Sequence, residues 1–306
     1  MVTKPVGFIG CGHMGSAMAQ RLIDGGFDVL IHDIDPAKVA VLAAHGARPA
    51  QSVRAVAREA SVILASLPSQ DASCAVATEI AESGAAEVYI ETSTIGQRTI
   101  KTIEAMLEPR GIAMLDMPVT GGPSWAREGR LTGILSGAPA ARDAATPILN
   151  CIAGRLIVVG DHAGQGQIAK VINNMLSLSG MMIACEAIVA GVKAGIDAEQ
   201  LLETINAGTG RNSATADKFP KAILPRTFNF GGPLGLGNKD LALFLELTDT
   251  GHRSDSIGHS IAALWQRITD DIGESADLSE MVKFFEKRAG VEVRGRTGAA
   301  ITSDQT

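Results

Sequence analysis

The feature that most constrains the fold is a glycine motif directly after a short apolar run near the N-terminus. The run is Val6 to Ile9, the motif Gly10-Cys11-Gly12-His13-Met14-Gly15 fits G-x-G-x-x-G, and a helical pattern continues from Ser16 to Asp24. Such a motif between a strand and a helix is typical of dinucleotide-binding βαβ units. Its glycines permit a tight turn, close approach of the backbone to a pyrophosphate, and close helix–strand packing. The predicted cofactor contacts are Gly10, Gly12, His13, Met14 and Gly15, with His13 facing solvent or cofactor.

An acidic residue follows the second predicted strand. Asp33 lies 18 residues after Gly15, at the end of the run Val29 to His32, and no arginine comes directly after it. A carboxylate at this position accepts hydrogen bonds from the adenosine ribose hydroxyls and repels a 2′-phosphate. The sequence therefore predicts NAD as the cofactor, in preference to NADP.

The rest of the chain falls into two halves of different character. Up to about Gly160, short β-branched runs alternate with helical stretches, as in a doubly wound sheet. From Gly166 to Lys193 runs an almost unbroken apolar helical pattern, about 40 Å long, which predicts a helix buried between domains or subunits. The later segments read as helices.

The predicted fold class is therefore α/β, with an N-terminal Rossmann doubly wound sheet and an all-α C-terminal domain joined by a long interdomain helix. The predicted domains are a Rossmann NAD-binding domain over 1–162 and a helical substrate and oligomerisation domain over 163–290. A polar, glycine-containing tail over 291–306 is expected to be disordered.

Composition narrows the class of protein. The net charge of −6 over 306 residues argues against a nucleic-acid partner. No continuous apolar run approaches the ~18 residues of a membrane span, and the first strand begins too early to leave room for a targeting peptide. The four cysteines lack metal-ligand spacing, which predicts reduced thiols, no metal site and a cytoplasmic location.

Three further segments carry a family resemblance. They are Asp116-Met117-Pro118-Val119-Thr120-Gly121-Gly122, Gly164-Gln165-Gly166 leading to Lys170-Val171-Ile172-Asn173-Asn174, and Asn238-Lys239-Asp240-Leu241. Together with the glycine motif and Leu67-Pro68-Ser69, they resemble the β-hydroxyacid dehydrogenase family, which includes 3-hydroxyisobutyrate dehydrogenase and tartronate semialdehyde reductase. The resemblance runs in order from Val6 to about Arg288. It implies NAD-dependent hydride transfer to or from the β-carbon of a small 3-hydroxy acid.

Lys170 and Asn174 are the predicted catalytic residues. Lys170 stands among Ile168, Val171 and Ile172, and a lysine buried on a helix is costly unless it is paired or its pKa falls enough for proton transfer. Asn174, four residues later, shares its helix face. In the family the matching lysine is the acid/base and the matching asparagine orients the substrate. The alternative is a lysine that extends from the helix start to solvent.

The remaining predicted site residues follow from the same segments. Thr120, Gly121 and Gly122 form a turn with open amide N–H groups, which suits a carboxylate, and the family binds the substrate acid there; a plain turn is the alternative. The resemblance assigns Leu67, Pro68, Thr94 and Lys239 to the cofactor, although Lys239 could also be an exposed surface lysine.

Two departures from the family leave the substrate open. Trp125 stands where alanine or glycine is more common, and Gly232 stands where phenylalanine is. We expect a reshaped substrate pocket with Trp125 among its contacts. The candidates are 3-hydroxyisobutyrate, glycerate or tartronate semialdehyde, serine, threonate and a bulkier β-hydroxy acid. The expected assembly is a homodimer or homotetramer, because the long apolar helix leaves surface that one Rossmann domain cannot cover.

The same residues disfavour three alternative functions. 6-Phosphogluconate dehydrogenase is far longer and has histidine at the position of Asn173. Imine reductases lack the lysine at position 170. A non-catalytic dinucleotide-sensing protein would have little reason to combine Lys170, Asn174 and the glycine pair.

Overall fold

A mostly parallel sheet forms the first of two units in the computed structural model of the chain. The structure describes residues 4–248 and 256–296, and the chain divides into units 1–171 and 172–306. Nine strands make up the sheet: β1 Val6–Ile9, β2 Val29–His32, β3 Arg48–Pro49, β4 Val62–Ala65, β5 Val88–Glu91, β6 Ala113–Asp116, β7 Val119–Thr120, β8 Leu131–Gly137 and β9 Ala153–Gly160. Their order is β3-β2-β1-β4-β5-β6-β8-β7, and β9 pairs with β8.

Seven helices accompany this sheet. They are α1 His13–Asp24, α2 Pro36–Ala43, α3 Val53–Glu59, α4 Gln70–Ala81, α5 Gln97–Leu107, α6 Gly122–Arg127 and α7 Pro139–Ile152, with a 3₁₀ turn over Glu108–Arg110. Successive strand residues point to opposite faces, so Leu64 of β4 belongs to one apolar core with α1 and α7, whereas Ile63 packs with α3, α4 and α5. Helices thus cover both faces of the sheet, and the predicted doubly wound architecture is confirmed.

Two local differences from the prediction have simple causes. The apolar pattern over Ile112 to Pro118 predicts one strand; β6 ends earlier, at Asp116, and a separate strand, β7, follows Pro118, and both pair with β8 in antiparallel fashion. Pro118 has no N–H to donate to a ladder, so the strand is interrupted there. Helix α1 begins at His13, earlier than Ser16, because Gly12 is its N-cap.

Helix α8, Gln165–Lys193, is the predicted long helix, and the boundary between the two units falls within it. Within the single chain its burial is partial, since Leu176 is 70% exposed and Ile183 is 59% exposed, and burial against another subunit stays a prediction. By length and composition alone α8 could cross a membrane, which corrects the expectation that no segment approaches that length. The core helix of a soluble protein meets the same criteria, so this is weak support for a membrane span.

The second unit is built from helices around one apolar core. They are α9 Ala198–Ala207, a π-helix over Ala214–Ile223, α10 Gly235–Thr248, α11 Ile257–Ile272, a 3₁₀ turn over Leu278–Met281 and α12 Val282–Ala289. Trp265 lies at the centre, 1% exposed, and its indole N–H donates to the carbonyl of Leu234 at 3.1 Å. The part of this unit that the structure describes has no named strand, which agrees with the predicted all-α domain.

The first residues of the predicted tail differ from expectation. Val293 is fully buried, and its N–H donates to Glu286 Oε1 at 2.7 Å. The N–H of Arg296 donates to Glu199 Oε1 at 3.1 Å. Residues 291–296 are therefore packed, because one apolar side chain and two backbone groups find partners on earlier helices. Residues 297–306 lie outside the described part of the chain.

Candidate functional site

The glycine loop has a shape that suits a dinucleotide. Gly10 has φ +90°, and a Cβ there would lie 2.2 Å from the carbonyl oxygen of Ser66. A Cβ on Gly15 would lie 1.9 Å from the carbonyl oxygen of Gly10, whereas one on Gly12 would meet nothing within 4 Å. The protein itself therefore requires the first and third glycines. Gly12 borders open space at the N-terminus of α1, which no side chain caps, and this arrangement fits a pyrophosphate.

Asp33 lies beside this loop. Its Oδ2 accepts the N–H of Cys11 at 2.6 Å and its Oδ1 accepts the N–H of Asp35 at 2.8 Å. Ile34, the next residue, is 97% exposed. An exposed apolar side chain beside the predicted ribose-binding carboxylate could cover one face of an adenine ring. Ile34 was not among the predicted contacts, although its place directly after the acidic residue could have indicated it.

The loops after β4 and β5 are tied to each other. The N–H of Leu67 donates to Ser93 Oγ at 2.7 Å, and Thr92 Oγ1 donates to the carbonyl of Ala65 at 2.7 Å. In the sheet, β2 and β4 lie on opposite sides of β1, so the strand order reverses between β1 and β4. Ligands of doubly wound sheets bind at the carboxyl ends of the strands at such a topological switch point. The predicted contacts Leu67, Pro68 and Thr94 therefore lie on loops at the same sheet edge as the glycine motif.

A buried acid, Glu91, anchors the second of these loops. The hydroxyl of Tyr89 donates to its Oε2 and the N–H of Ser93 donates to its Oε1, both at 2.9 Å. Desolvation raises the pKa of Glu91, and these hydrogen bonds partly offset the rise. Its role is structural, and the sequence did not single it out.

A second buried acid, Asp116, anchors the start of α8. It accepts the N–H groups of Gly164 at 2.6 Å and Gln167 at 2.8 Å, together with the hydroxyl of Ser136. Burial raises the pKa of Asp116, against the lowering effect of the same hydrogen bonds. A Cβ on Gly166 would lie 2.6 Å from Asp116 Oδ2, so only glycine fits between them. The start of α8 is therefore held rigidly on β6 and β8.

Gln167 joins α8 to the loop after β5. Its Oε1 accepts the N–H groups of Ile95 at 2.9 Å and Gly96 at 3.1 Å, and its Nε2 donates to the carbonyl of Ser93 at 2.9 Å. Lys170 lies three residues later on α8 and is only 8% exposed, which agrees with a buried lysine. Sequence reasoning missed Gln167 because its partners lie more than 70 residues away.

The predicted carboxylate segment is brought together with Trp125. Thr120 belongs to β7 and pairs with Thr132, whereas Gly121 is the N-cap of α6 and Gly122 its first residue, with φ +135° and +81°. A Cβ on Gly121 would lie 2.8 Å from the ring of Trp125, which is 42% exposed. The indole thus rests directly on the glycine turn.

In the second unit, Asp240 links two predicted site residues. Asn174 Nδ2 donates to Asp240 Oδ2 at 2.7 Å, and Lys239 Nζ lies 3.1 Å from Asp240 Oδ1. Asp240 is part of the motif Asn238-Lys239-Asp240-Leu241, but the sequence assigned it no role of its own. Gly232 is exposed with φ +95°, a conformation that disfavours the phenylalanine common there in the family.

Burial raises the pKa of Cys11, inside the glycine loop, to about 12, which favours the neutral thiol over the nucleophilic thiolate. Across residues 4–248 and 256–296, no cluster of three or more His, Cys, Asp or Glu side chains could hold a metal ion.

The chain matches known protein families along nearly its whole length. Residues 5–160 match the model for the NAD-binding domain of 6-phosphogluconate dehydrogenase. Residues 164–285 match a model described as NAD-binding of NADP-dependent 3-hydroxyisobutyrate dehydrogenase.

Individual relatives agree with these matches. The chain is 31% identical to the NAD-dependent L-serine dehydrogenase of Pseudomonas aeruginosa, over 94% of this chain and 99% of the relative. It is 30% identical to the 2-(hydroxymethyl)glutarate dehydrogenase of Eubacterium barkeri, over 95% and 97%. This chain belongs to the β-hydroxyacid dehydrogenase family. It is an NAD-dependent hydroxy acid dehydrogenase whose substrate the family leaves unspecified.

A solved structure supports the same fold. The structure of Mycobacterium tuberculosis 3-hydroxyisobutyrate dehydrogenase with L-serine superposes with a TM-score of 0.84 at 28% identity, covering 92% of this chain and 98% of that one. The family assignment made from the sequence motifs is therefore confirmed, as is binding of a nicotinamide dinucleotide.

Proposed function

We propose that this dehydrogenase oxidises acids of the form HOCH2–CHR–COO⁻, or reduces the matching aldehydes, with NAD in preference to NADP. L-serine, 3-hydroxyisobutyrate and 2-(hydroxymethyl)glutarate, which stand in the relatives' names, all share this core. The observation that carries the proposal is the buried Lys170, which lies one turn after the anchored start of α8 and four residues before Asn174.

Each predicted residue has a separate role in the proposed reaction. Bound NAD would supply the hydride acceptor for oxidation, at C4 of its nicotinamide ring. Lys170 takes the hydroxyl proton during oxidation and returns it during reduction, while Asn174 orients that hydroxyl. The amides of Thr120 to Gly122 hold the carboxylate and so fix the position of the β-carbon. The cofactor would contact Gly10, Gly12, Asp33, Leu67 and Thr94.

A hydroxy acid panel tests the substrate class. NADH absorbance should rise with at least one of 3-hydroxyisobutyrate, L-serine, glycerate and 2-(hydroxymethyl)glutarate, and not with lactate, whose hydroxyl is on the α-carbon. NAD binding without turnover of any 3-hydroxy acid would contradict the proposal and favour a dinucleotide sensor. Turnover of larger β-hydroxy acids alone would instead indicate a reductase for a bulkier substrate.

Variants of Lys170 test the mechanism. Lys170→Ala should lower kcat by about 10²- to 10⁴-fold, the usual contribution of one general acid/base, with little change in NAD affinity by fluorescence titration. Lys170→Arg should fail almost as badly, because a guanidinium keeps its proton near neutral pH. A nearly active Lys170→Arg enzyme would overturn this assignment.

We also propose that the enzyme is a cytoplasmic homodimer or homotetramer. Leu176 and Ile183 on α8 and Ile257 on α11 are large apolar side chains, and each is more than half exposed. Exposed apolar surface of this kind favours association between copies of a chain.

A further inference from the structure

The second unit contains a buried lysine that the proposed reaction does not use. Lys218 lies on the π-helix Ala214–Ile223 and is only 6% exposed. Its Nζ donates to Ser213 Oγ at 3.2 Å and lies 5.4 Å from the centre of the Phe230 ring. Both partners are neutral, so neither balances the charge of an ammonium group.

The charges around Lys218 do not neutralise it. Asp217, the neighbouring acid, forms an ion pair with Lys221 at 2.5 Å. Within residues 4–248 and 256–296, no carboxylate forms an ion pair with Lys218. Desolvation by burial lowers the pKa of Lys218, and the nearby acidic groups of Asp217 and Cys185 oppose this effect only in part. Burying a cation without an anionic partner is costly, which favours an anion supplied from outside the chain.

Two serine side chains connect Lys218 with the helix face of Asn174, the proposed substrate-orienting residue. Ser213 Oγ lies 3.3 Å from Ser177 Oγ on α8. Ser177 follows Asn174 by three residues, which places it on the same helix face, about 4.5 Å further along the axis. Ser213 is exposed, and Phe230 is 37% exposed. A small ligand can therefore approach Lys218 beside these side chains.

We propose that Lys218 binds a second anionic group on the substrate, so that this enzyme prefers 3-hydroxy acids whose side chain ends in a carboxylate. The inference rests on the proposed function, in which Asn174 orients the hydroxyl of the same substrate. Ser213 and Ser177 would supply hydroxyl donors beside the ammonium group, and Phe230 would cover the aliphatic part of the chain.

A matched pair of substrates isolates the distal carboxylate. 2-(Hydroxymethyl)glutarate and its 5-monoamide have nearly the same shape and differ in one charge. The enzyme should turn over the diacid with a kcat/KM about 10- to 100-fold higher than that of the monoamide, as expected for a charged hydrogen bond. Equal efficiencies would overturn the proposal.

Lysine variants test whether Lys218 causes the preference for the diacid. In Lys218→Met the preference for the diacid should disappear, mainly through KM, and Lys218→Arg should keep part of it. Lys221→Met, which removes an exposed lysine from the same segment, should keep the full preference. If Lys218→Met lowered the efficiency of diacid and monoamide equally, Lys218 would be a structural residue and the proposal would be wrong.

A binding measurement separates this proposal from the proposed function. Glutarate and its monoamide can be titrated by calorimetry into the NAD-loaded enzyme, with no need for turnover. Tighter binding of glutarate that is lost in Lys218→Met would support the anion site even if no 3-hydroxy acid were oxidised. No difference between wild type and Lys218→Met would reject it, whatever the panel shows.

Discussion

Asp33 supports the glycine loop, and we propose that the same carboxylate contacts the adenosine ribose. Its two oxygens accept one backbone N–H each, from Cys11 and Asp35. A carboxylate has about four acceptor positions, so capacity remains for the two ribose hydroxyls. A 2′-phosphate at the same position would be repelled, because it carries charge of the same sign as the carboxylate.

We therefore expect the cofactor preference to depend on Asp33. The value of kcat/KM with NAD should exceed that with NADP by at least ~10-fold, since a like-charge clash costs more than ~1.4 kcal/mol. Asp33→Ser should reduce this ratio. Asp28→Asn removes a charge at the other end of β2, where Asp28 pairs with Arg48, and should leave the ratio unchanged. Equal efficiencies in the wild type would remove Asp33 from its role.

The burial of Lys218 should make the free energy of unfolding depend on pH. Burial lowers the pKa of Lys218, so the unfolded chain binds its proton more tightly, and stability rises with pH between the folded and unfolded pKa values. Lys218→Met should therefore stabilise the fold at pH 7, by on the order of 1 kcal/mol. The gain should shrink as the pH approaches the ordinary lysine pKa of ~10.4.

Urea unfolding at pH 7 and pH 9.5 measures this difference. Lys221→Met, at an exposed lysine on the same helix, controls for the loss of a positive charge. A Lys218→Met protein that is less stable than wild type at pH 7 would contradict the expectation.

At the scale of secondary structure, the start of α8 is held by hydrogen bonds from several polar side chains. Asp116, Ser136 and Gln167 bind backbone groups of the helix start and of the loop after β5. These contacts couple the loop of Thr94 to the helix of Lys170. Gln167 is thus a positioning residue, since it acts through elements that carry other site residues.

Gln167→Met tests this coupling. The change leaves the buried N–H groups of Ile95 and Gly96 without their acceptor, which costs about 1–3 kcal/mol for each group. We expect a lower Tm and a kcat about tenfold lower or less, with little change in KM for the substrate. Gln165→Met is the control, because the Gln165 carboxamide accepts only the exposed His162 N–H. A lower Tm with unchanged kcat would show a purely structural role.

At the scale of the whole molecule, exposed apolar side chains lie on the second unit. Light scattering should give a dimer or larger at micromolar concentration. The double variant Leu176→Lys and Ile183→Lys should shift the mass toward the monomer, because each added charge would be buried on association. Val41→Lys, at an exposed apolar residue of the first unit, should leave the mass unchanged. A monomeric wild type would refute the assembly.

The sequence alone determined the parts that depend on local pattern and spacing. The β-branched runs, the glycine motif and the span of α8 follow from periodicity and turn chemistry within a few residues. The family motifs identified the class of enzyme for the same reason, because the spacing of their residues is local. The π-helix was not predicted, since Pro220 interrupts its pattern without showing which ladder replaces the α-helical one.

Only the tertiary structure decided which distant groups meet. Gln167 and Ile95 are 72 residues apart, Asn174 and Asp240 are 66 apart, and Asp116 and Gln167 are 51 apart. The burial that leaves Lys218 with neutral partners likewise comes from the packing of helices far apart in sequence. Periodicity specifies which side of a helix or strand is apolar, whereas the cost of burying polar groups selects their partners, and that selection occurs only when the elements pack.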